Sequence, residues 1–118
     1  MSQLAYIAFD DYTTLSGEQM NLKLSYKFFG LPLGSAPIVL VNHSLTGDAE
    51  VCGAHGWWSE MIGDGKVIDT QQFTILAFNF PGNGAENYVI ESYEGLILRD
   101  VALLIKQALD HLNIQKLY

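Results

Sequence analysis

The sequence predicts an α/β fold with two antiparallel strands, then a parallel strand–crossover–strand unit and a helix. Three patterns predict it. Residues 21–28 alternate polar and apolar, Ile38–Val41 and Phe73–Phe80 are near-continuous apolar runs, and one apolar stripe of helical period runs from Ile97 to Leu112. Alternating strand and helix signals of this kind point to a mostly parallel sheet with an antiparallel start.

The elements follow in order. Residues 4–9 read as a strand, with turn formers Asp10, Asp11, Ser16 and Gly17 around its end. Residues 21–28 place Leu22, Leu24, Tyr26 and Phe28 on one side and Asn21, Lys23, Ser25 and Lys27 on the other. Period two over eight residues is a half-buried strand, and the polar side suits an antiparallel strand with one wet face. These two strands form the expected antiparallel pair at a sheet edge. The apolar runs 38–41 and 73–80 read as strands covered on both faces. About thirty residues separate them, enough for a crossover with a short helix around Trp57–Ile62. After the loop Pro81-Gly82-Asn83-Gly84, a helix is expected over 94–112, with Ser92 as N-cap and Asn113 as its stop. Its stripe is Ile97, Val101, Leu104, Ile105, Ala108 and Leu112. Residues 114–118 read as the start of a further strand.

Composition narrows the class. At about 150 residues per domain, 118 residues make one domain or less, 1–118, with no internal boundary. Hydrophobic residues are 49% and charged residues 16%, which excludes a disordered tail. A formal net charge of −7 disfavours a nucleic-acid partner. The single Cys52 allows no internal disulfide and fits a reducing compartment. No apolar run approaches the roughly 20 residues of a membrane helix, and the N-terminus lacks the basic region of a signal peptide. The expectation is a cytoplasmic chain whose partner is a small molecule, with no nucleic acid and no membrane.

The strongest chemical signal is Asn42-His43-Ser44-Leu45-Thr46-Gly47, at the carboxyl end of the third strand. Ligands bind at such strand ends in open α/β sheets. An ordinary strand-to-helix loop with a capping Ser or Thr would look the same, so spacing alone leaves both readings open. Other patterns are weaker. Cys52 with His55 could pair a thiol with a base, but a lone small Cys in a loop is usually inert. His43, Asp48, Glu50 and His55 lack tight metal-ligand spacing, so no metal is expected. Gly82-x-Gly84 lacks the third glycine of a dinucleotide loop, since position 87 is Asn. Gly65-Lys66 is followed by Val67 and is no phosphate loop. Asn42-His43-Ser44 matches a glycosylation triplet without a secretory context.

Several segments together resemble one family. Ile38-Val39-Leu40-Val41-Asn42-His43-Ser44-Leu45-Thr46-Gly47 looks like the strand and His-Ala-Leu-Thr-Gly loop of the homoserine O-acetyltransferases, acyltransferases on the α/β-hydrolase fold. Gly56-Trp57-Trp58, then Gly65-Lys66-x-x-Asp69-Thr70, are similar to that family's next stretches. Phe73–Asn79 resembles its fourth strand ending in Asn. Arg99-Asp100 with Leu109-Asp110-His111-Leu112 resembles the helix that leads to its nucleophile strand. The likeness runs from about residue 20 to 118.

The resemblance implies the N-terminal part of an α/β-hydrolase domain, incomplete without later strands. In that fold the fourth strand lies between the second and third, and the third needs a fifth as its other neighbour. The rest of the domain is therefore expected as a second chain or a continuation, without which 38–41 would be a bare apolar edge. A homodimer stays open. The implied reaction moves an acetyl group from acetyl-CoA, a co-substrate rather than a bound cofactor, to homoserine through an acyl-serine. That would place the protein in methionine biosynthesis. The resemblance gives the backbone amide of Leu45 to the oxyanion hole and makes His43 a structural loop residue rather than a base. His43, Ser44, Thr46, Gly47, Trp57, Trp58 and Asn79 are the candidate pocket lining. For the tryptophans, packing under the loop is the alternative.

Two departures matter. The nucleophile motif Gly-x-Ser-x-Gly occurs nowhere in the chain, so no catalytic serine, acid or His is expected here and the piece alone should be inactive. Phe80-Pro81-Gly82-Asn83-Gly84 stands where the family carries a Gly-Gly segment, and looks more like the Pro-Gly-x-Gly loop of general α/β-hydrolases. That keeps an esterase open, with an inert fragment as the third reading.

Overall fold

A computed structural model describes residues 4–44, 47–85, 88–90 and 93–118. The elements are β1 (Ala5–Thr13), β2 (Gln19–Gly30), β3 (Ile38–Val41), β4 (Ile62–Gly63), β5 (Ile68–Asp69), β6 (Thr74–Phe78) and α1 (Leu98–His111). The main sheet has the order β1-β2-β6-β3. β1 and β2 are antiparallel, β6 is antiparallel to β2, and β3 is parallel to β6. The fourth long strand thus lies between the second and third, as expected.

β1 runs past Asp10 and Asp11 instead of turning there. Its register against β2 shifts between Phe9 and Tyr12, a bulge with Asp11 at φ 58°. An Asp tolerates that left-handed conformation, so turn chemistry is spent on a bulge. The Asn21 side-chain oxygen accepts the Asp11 N–H at 2.9 Å. The reversal comes later, where Thr14 N–H donates to Glu18 O at 2.8 Å.

β2 keeps its predicted alternation, but its polar face is not wet. Leu22 and Leu24 are buried on one side. On the other, Ser25, Lys23 and Lys27 are half-buried under the crossover and the loop after β6. Each polar group there finds a partner. Lys27 pairs with Glu50, and the Lys23 ammonium lies 5.0 Å from the ring centres of Tyr6 and Tyr88.

β6 is buried at every position. Leu76 and Phe78 pack with Leu24, Val101, Ile105 and Ala108 on one face of the sheet. Ile75 and Ala77 pack with Val51, Cys52 and Ile62 on the other. The continuous apolar run is therefore explained by two cores sharing one strand. β3 alternates between the same cores but stays half-buried at Ile38, Val39 and Leu40.

The crossover holds no helix, contrary to the expectation at 57–62. Trp57 and Trp58 donate their N–H groups back to Glu50 and Val51 carbonyls, at 3.0 and 3.1 Å. That leaves one turn, closed by Ile62 N–H on Trp58 O. A short parallel ladder follows, with Ile62 opposite Ile68 and Gly63 opposite Asp69.

α1 starts later than predicted. Ser92, the expected N-cap, lies outside the described residues, and Ile97 occupies the N-cap position in extended conformation. Ile97 has no side-chain acceptor, so the helix start is closed from inside, by the Asp100 carboxylate on the Ile97 N–H at 3.0 Å. Val101, Leu104, Ile105 and Ala108 are buried as the stripe requires, whereas Ile97 is exposed because it precedes the first turn. At the other end Asn113 takes φ 58°. Asn113 N–H bonds Asp110 O and Ile114 N–H bonds Leu109 O. This is a Schellman closure with Ile114 returned to the core beside Leu109. Residues 114–118 form no strand, yet Tyr118 N–H donates to Ile38 O at 2.8 Å, beside β3.

Asp100 ties this helix to the far hairpin. It is fully buried, and its Oδ1 accepts the Tyr12 hydroxyl and the Leu15 N–H, each at 2.9 Å. Burial pushes the carboxyl up, but the amides of Ile97 and Leu15 and the Tyr12 hydroxyl outweigh it, and the group sits below its ordinary value. Burial, then the bond to Asp100 and its charge, push the Tyr12 hydroxyl up to about 12. A carboxyl depressed in the folded state binds protons better when unfolded. Its contribution is complete above the unfolded Asp value of about 3.9 and is lost as pH falls through the folded value. The urea midpoint should therefore drop in that acid window. An Asp100→Asn variant should be weaker than wild type at pH 7 and should converge on it in acid.

Candidate functional site

β3 and β6 are parallel neighbours, so their carboxyl ends open on the same edge. The loops leaving them, 42–50 and 79–85, meet there through three side chains, His43, Asn79 and Asn83. Leu45 and Thr46 lie outside the described residues. The flanking Ser44 and Gly47 are joined by a Gly47 N–H bond to Ser44 O at 3.0 Å.

His43 is buried and both ring nitrogens are used. Phe80 N–H donates to Nε2 at 2.9 Å. An amide can only donate, so Nε2 is the bare nitrogen and the proton is on Nδ1. Nδ1–H then donates to Ser44 O at 2.6 Å. The Phe80 ring lies against the imidazole, with centroids 4.1 Å apart. Saturated by backbone on both sides, His43 is a loop clip and has no free nitrogen for acid–base work.

Asn79, buried at the end of β6, is equally committed. Its Oδ1 accepts the Ala49 N–H at 2.8 Å, and its Nδ2 donates to Ser25 Oγ at 2.9 Å. Its own N–H bonds Ser25 O. Asn83 adds the third side chain. It is presented by a turn in which Asn83 N–H bonds Phe80 O at 3.1 Å, with Pro81 second and Gly82 third at φ 73°. Pro then a positive-φ Gly is the type II signature. A Cβ on Gly82 would also lie 2.7 Å from Ile90 Cγ1. Gly47 is glycine for space: a Cβ there would meet His43 Cβ at 2.8 Å.

The pocket candidates divide. His43, Ser44, Gly47 and Asn79 come together, and Asn79 also borders a cleft of about 260 Å³ with Lys27, Asp48, Glu50 and Ala85. Among the described residues, the tryptophans do not border that cleft. Trp57 and Trp58 are 42% and 38% exposed and stack on each other, centroids 5.6 Å apart and planes 13° from parallel. Nor do they belong to the buried core of the described residues. Only the Trp57 indole reaches the loop, donating to Asp48 O at 2.8 Å. Cys52 is buried, and burial followed by the Glu50 charge pushes its thiol up, which suppresses the reactive thiolate. Among the described residues no three His, Cys, Asp or Glu side chains converge as metal ligands, and no helix is long and apolar enough to cross a membrane.

Sequence reading missed Asn83 and the Phe80 amide as parts of this site. The Pro-Gly signal for the turn was present, and it is the turn that aims Asn83.

No family profile matches the chain. Solved structures match its fold. Esterase E22 superposes with a TM-score of 0.81 at 24% identity, over 100% of this chain and 39% of that one. The homoserine O-acetyltransferase from Staphylococcus aureus superposes with a TM-score of 0.79 at 26% identity, over 99% of this chain and 37% of that one. The chain is thus a partial α/β-hydrolase fold. Its sequence relatives narrow the class: the homoserine O-acetyltransferase of Methanococcoides burtonii is 29% identical over 92% of this chain and 28% of its own length. The chain is a homologue of part of the homoserine O-acetyltransferases, acyltransferases built on that fold. It spans between 23% and 34% of the length of the curated relatives it matches.

The His43 clip yields a stability prediction. His43→Ala leaves the half-buried Phe80 N–H without its acceptor and removes one of the donors to Ser44 O, a loss of about 1–3 kcal/mol in urea unfolding. An unchanged midpoint would contradict the clip.

Proposed function

We propose that this chain is the N-terminal part of an acyltransferase that carries an acetyl group from acetyl-CoA to the hydroxyl of homoserine. The nucleophilic serine, its His and its acid belong to the remainder of that domain, on a second chain or a continuation. The serine Oγ attacks the thioester carbonyl, the thiol of CoA leaves with a proton, and the homoserine hydroxyl then displaces the serine from the acyl-enzyme. Both steps pass through a tetrahedral oxyanion. The amide of Leu45 is the donor assigned here, a role worth about 3 kcal/mol in related chemistry. The protein would act in the cytoplasm, in methionine biosynthesis.

One observation carries this reading. The chain leaves β3 at the carboxyl edge of the parallel pair, the edge where ligands bind in open α/β sheets, and is fastened at His43 to the Phe80 amide. A backbone donor is useful only if it is held before charge develops. The saturated His43 supports a positioning loop, with the acid–base pair elsewhere.

A second reading has its own support. Pro81-Gly82-Asn83-Gly84 follows the general hydrolase pattern, and an esterase shares the fold. Water would then replace homoserine as acceptor. The complete protein decides between them. Thiol release from acetyl-CoA that requires homoserine is the expected outcome. Hydrolysis of p-nitrophenyl acetate, with no homoserine-dependent thiol release, would transfer the assignment to an esterase. The 118-residue chain alone should show neither activity.

A further inference from the structure

We propose that Asn83 is a positioning residue for the acyl-transfer reaction, holding the loop after β3 in place through its side-chain amide nitrogen. The inference rests on the acyl-transfer reading above and concerns the segment in which this chain departs from the homoserine O-acetyltransferase pattern.

The geometry is specific. Asn83 Nδ2 lies 3.1 Å from Asn79 Oδ1, 3.4 Å from Gly47 O and 3.5 Å from His43 Nε2. Two hydrogens face three acceptors. Asn79 Oδ1 and Gly47 O take them, because His43 Nε2 is already engaged by the closer Phe80 N–H. The other end of the amide is fixed too, since Asn83 Oδ1 accepts the Ala85 N–H at 3.1 Å. The backbone below is set by the turn at Pro81-Gly82. Asn83 is therefore held on three sides and reaches across to one group of the other loop, the Gly47 carbonyl.

That target complements the His43 clip. His43 fastens Ser44 O, and Asn83 fastens Gly47 O. Ser44 and Gly47 are the two described ends of the loop assigned to the oxyanion. Both anchors return to the β6 loop, one through the Phe80 amide and one through the Asn83 side chain. Losing one anchor frees one end of the loop without touching substrate. The effect should then fall on the transition state more than on binding.

Two variants of the complete protein separate this from simple loop capping. Asn83→Asp keeps the acceptor for Ala85 N–H but loses the donors and sets a carboxylate against carbonyl oxygens. Asn83→Ala loses both functions. If Nδ2 is the anchor, both variants lose kcat for acetyl transfer by about tenfold or more, with the KM for acetyl-CoA within about twofold. Amide exchange at Gly47 should quicken in both. An Asp variant that matches wild type in kcat and in exchange would overturn the proposal, leaving only the cap on Ala85. A change in KM alone would overturn it as well, by making Asn83 a substrate contact. Wild-type protein with neither acetyl transfer nor ester hydrolysis would refute the functional reading instead, and unchanged Gly47 exchange would still refute the anchor on its own terms.

Discussion

The rest of the structure depends on β6 being enclosed on all four sides. Its backbone is paired with β2 on one edge and β3 on the other, and its side chains enter two separate cores. A strand with no free edge and no wet face must be covered twice. α1 covers one face, and the crossover from Ala49 to Ile68 covers the other. The half-buried lysines and serine of β2 follow from the same demand, because the crossover that shields Ile75 and Ala77 also lies over them. Lys27 with Glu50 and Ser25 with Asn79 are the pairings that let polar groups stay under that cover.

The functional edge inherits its order from this strand. Asn79 is its first residue past the sheet, still buried, and Phe80 and Asn83 follow within one turn. A polar residue at the end of a buried strand must be satisfied locally, and Ala49 in the loop after β3 and Ser25 in β2 provide what it needs. Three side chains, His43, Asn79 and Asn83, share their bonds among backbone groups of both loops. The same bonds that satisfy buried polar atoms also immobilise the loop. Stability and preorganisation are here one set of contacts.

Much of the fold was legible because each strand and the helix carried its own period. The order of strands became legible only through the resemblance, since no local pattern says that residues 74–78 insert between 19–30 and 38–41. The misread places share a cause: a local signal met a longer-range partner. Asp10 and Asp11 look like a turn but form a bulge, because β1 continues along β2. Trp57–Ile62 looks like a helix, but the amides of Trp57 and Trp58 pair back to Glu50 and Val51. Ser92 looks like a cap, but the helix begins at Leu98 and is closed by Asp100. In the site, Asn79 and His43 were visible through the family pattern. Asn83 was hidden in a glycine-rich loop, where only the turn geometry shows where its amide points.

The bond between Asp100 and the β1–β2 turn has a consequence for the order of assembly. Leu15 and Tyr12 lie 85 and 88 residues before their acceptor. A hairpin is local and quick to form, but this one carries at its tip a donor whose partner is made 85 residues later. Closing so long a loop is entropically slow, and it is favourable only once α1 exists to present the carboxylate. On a ribosome the hairpin would emerge early and wait with its tip unsecured. The helix start and the hairpin tip then lock together only after α1 has formed, which makes Asp100 the residue that joins a local step to a long-range one.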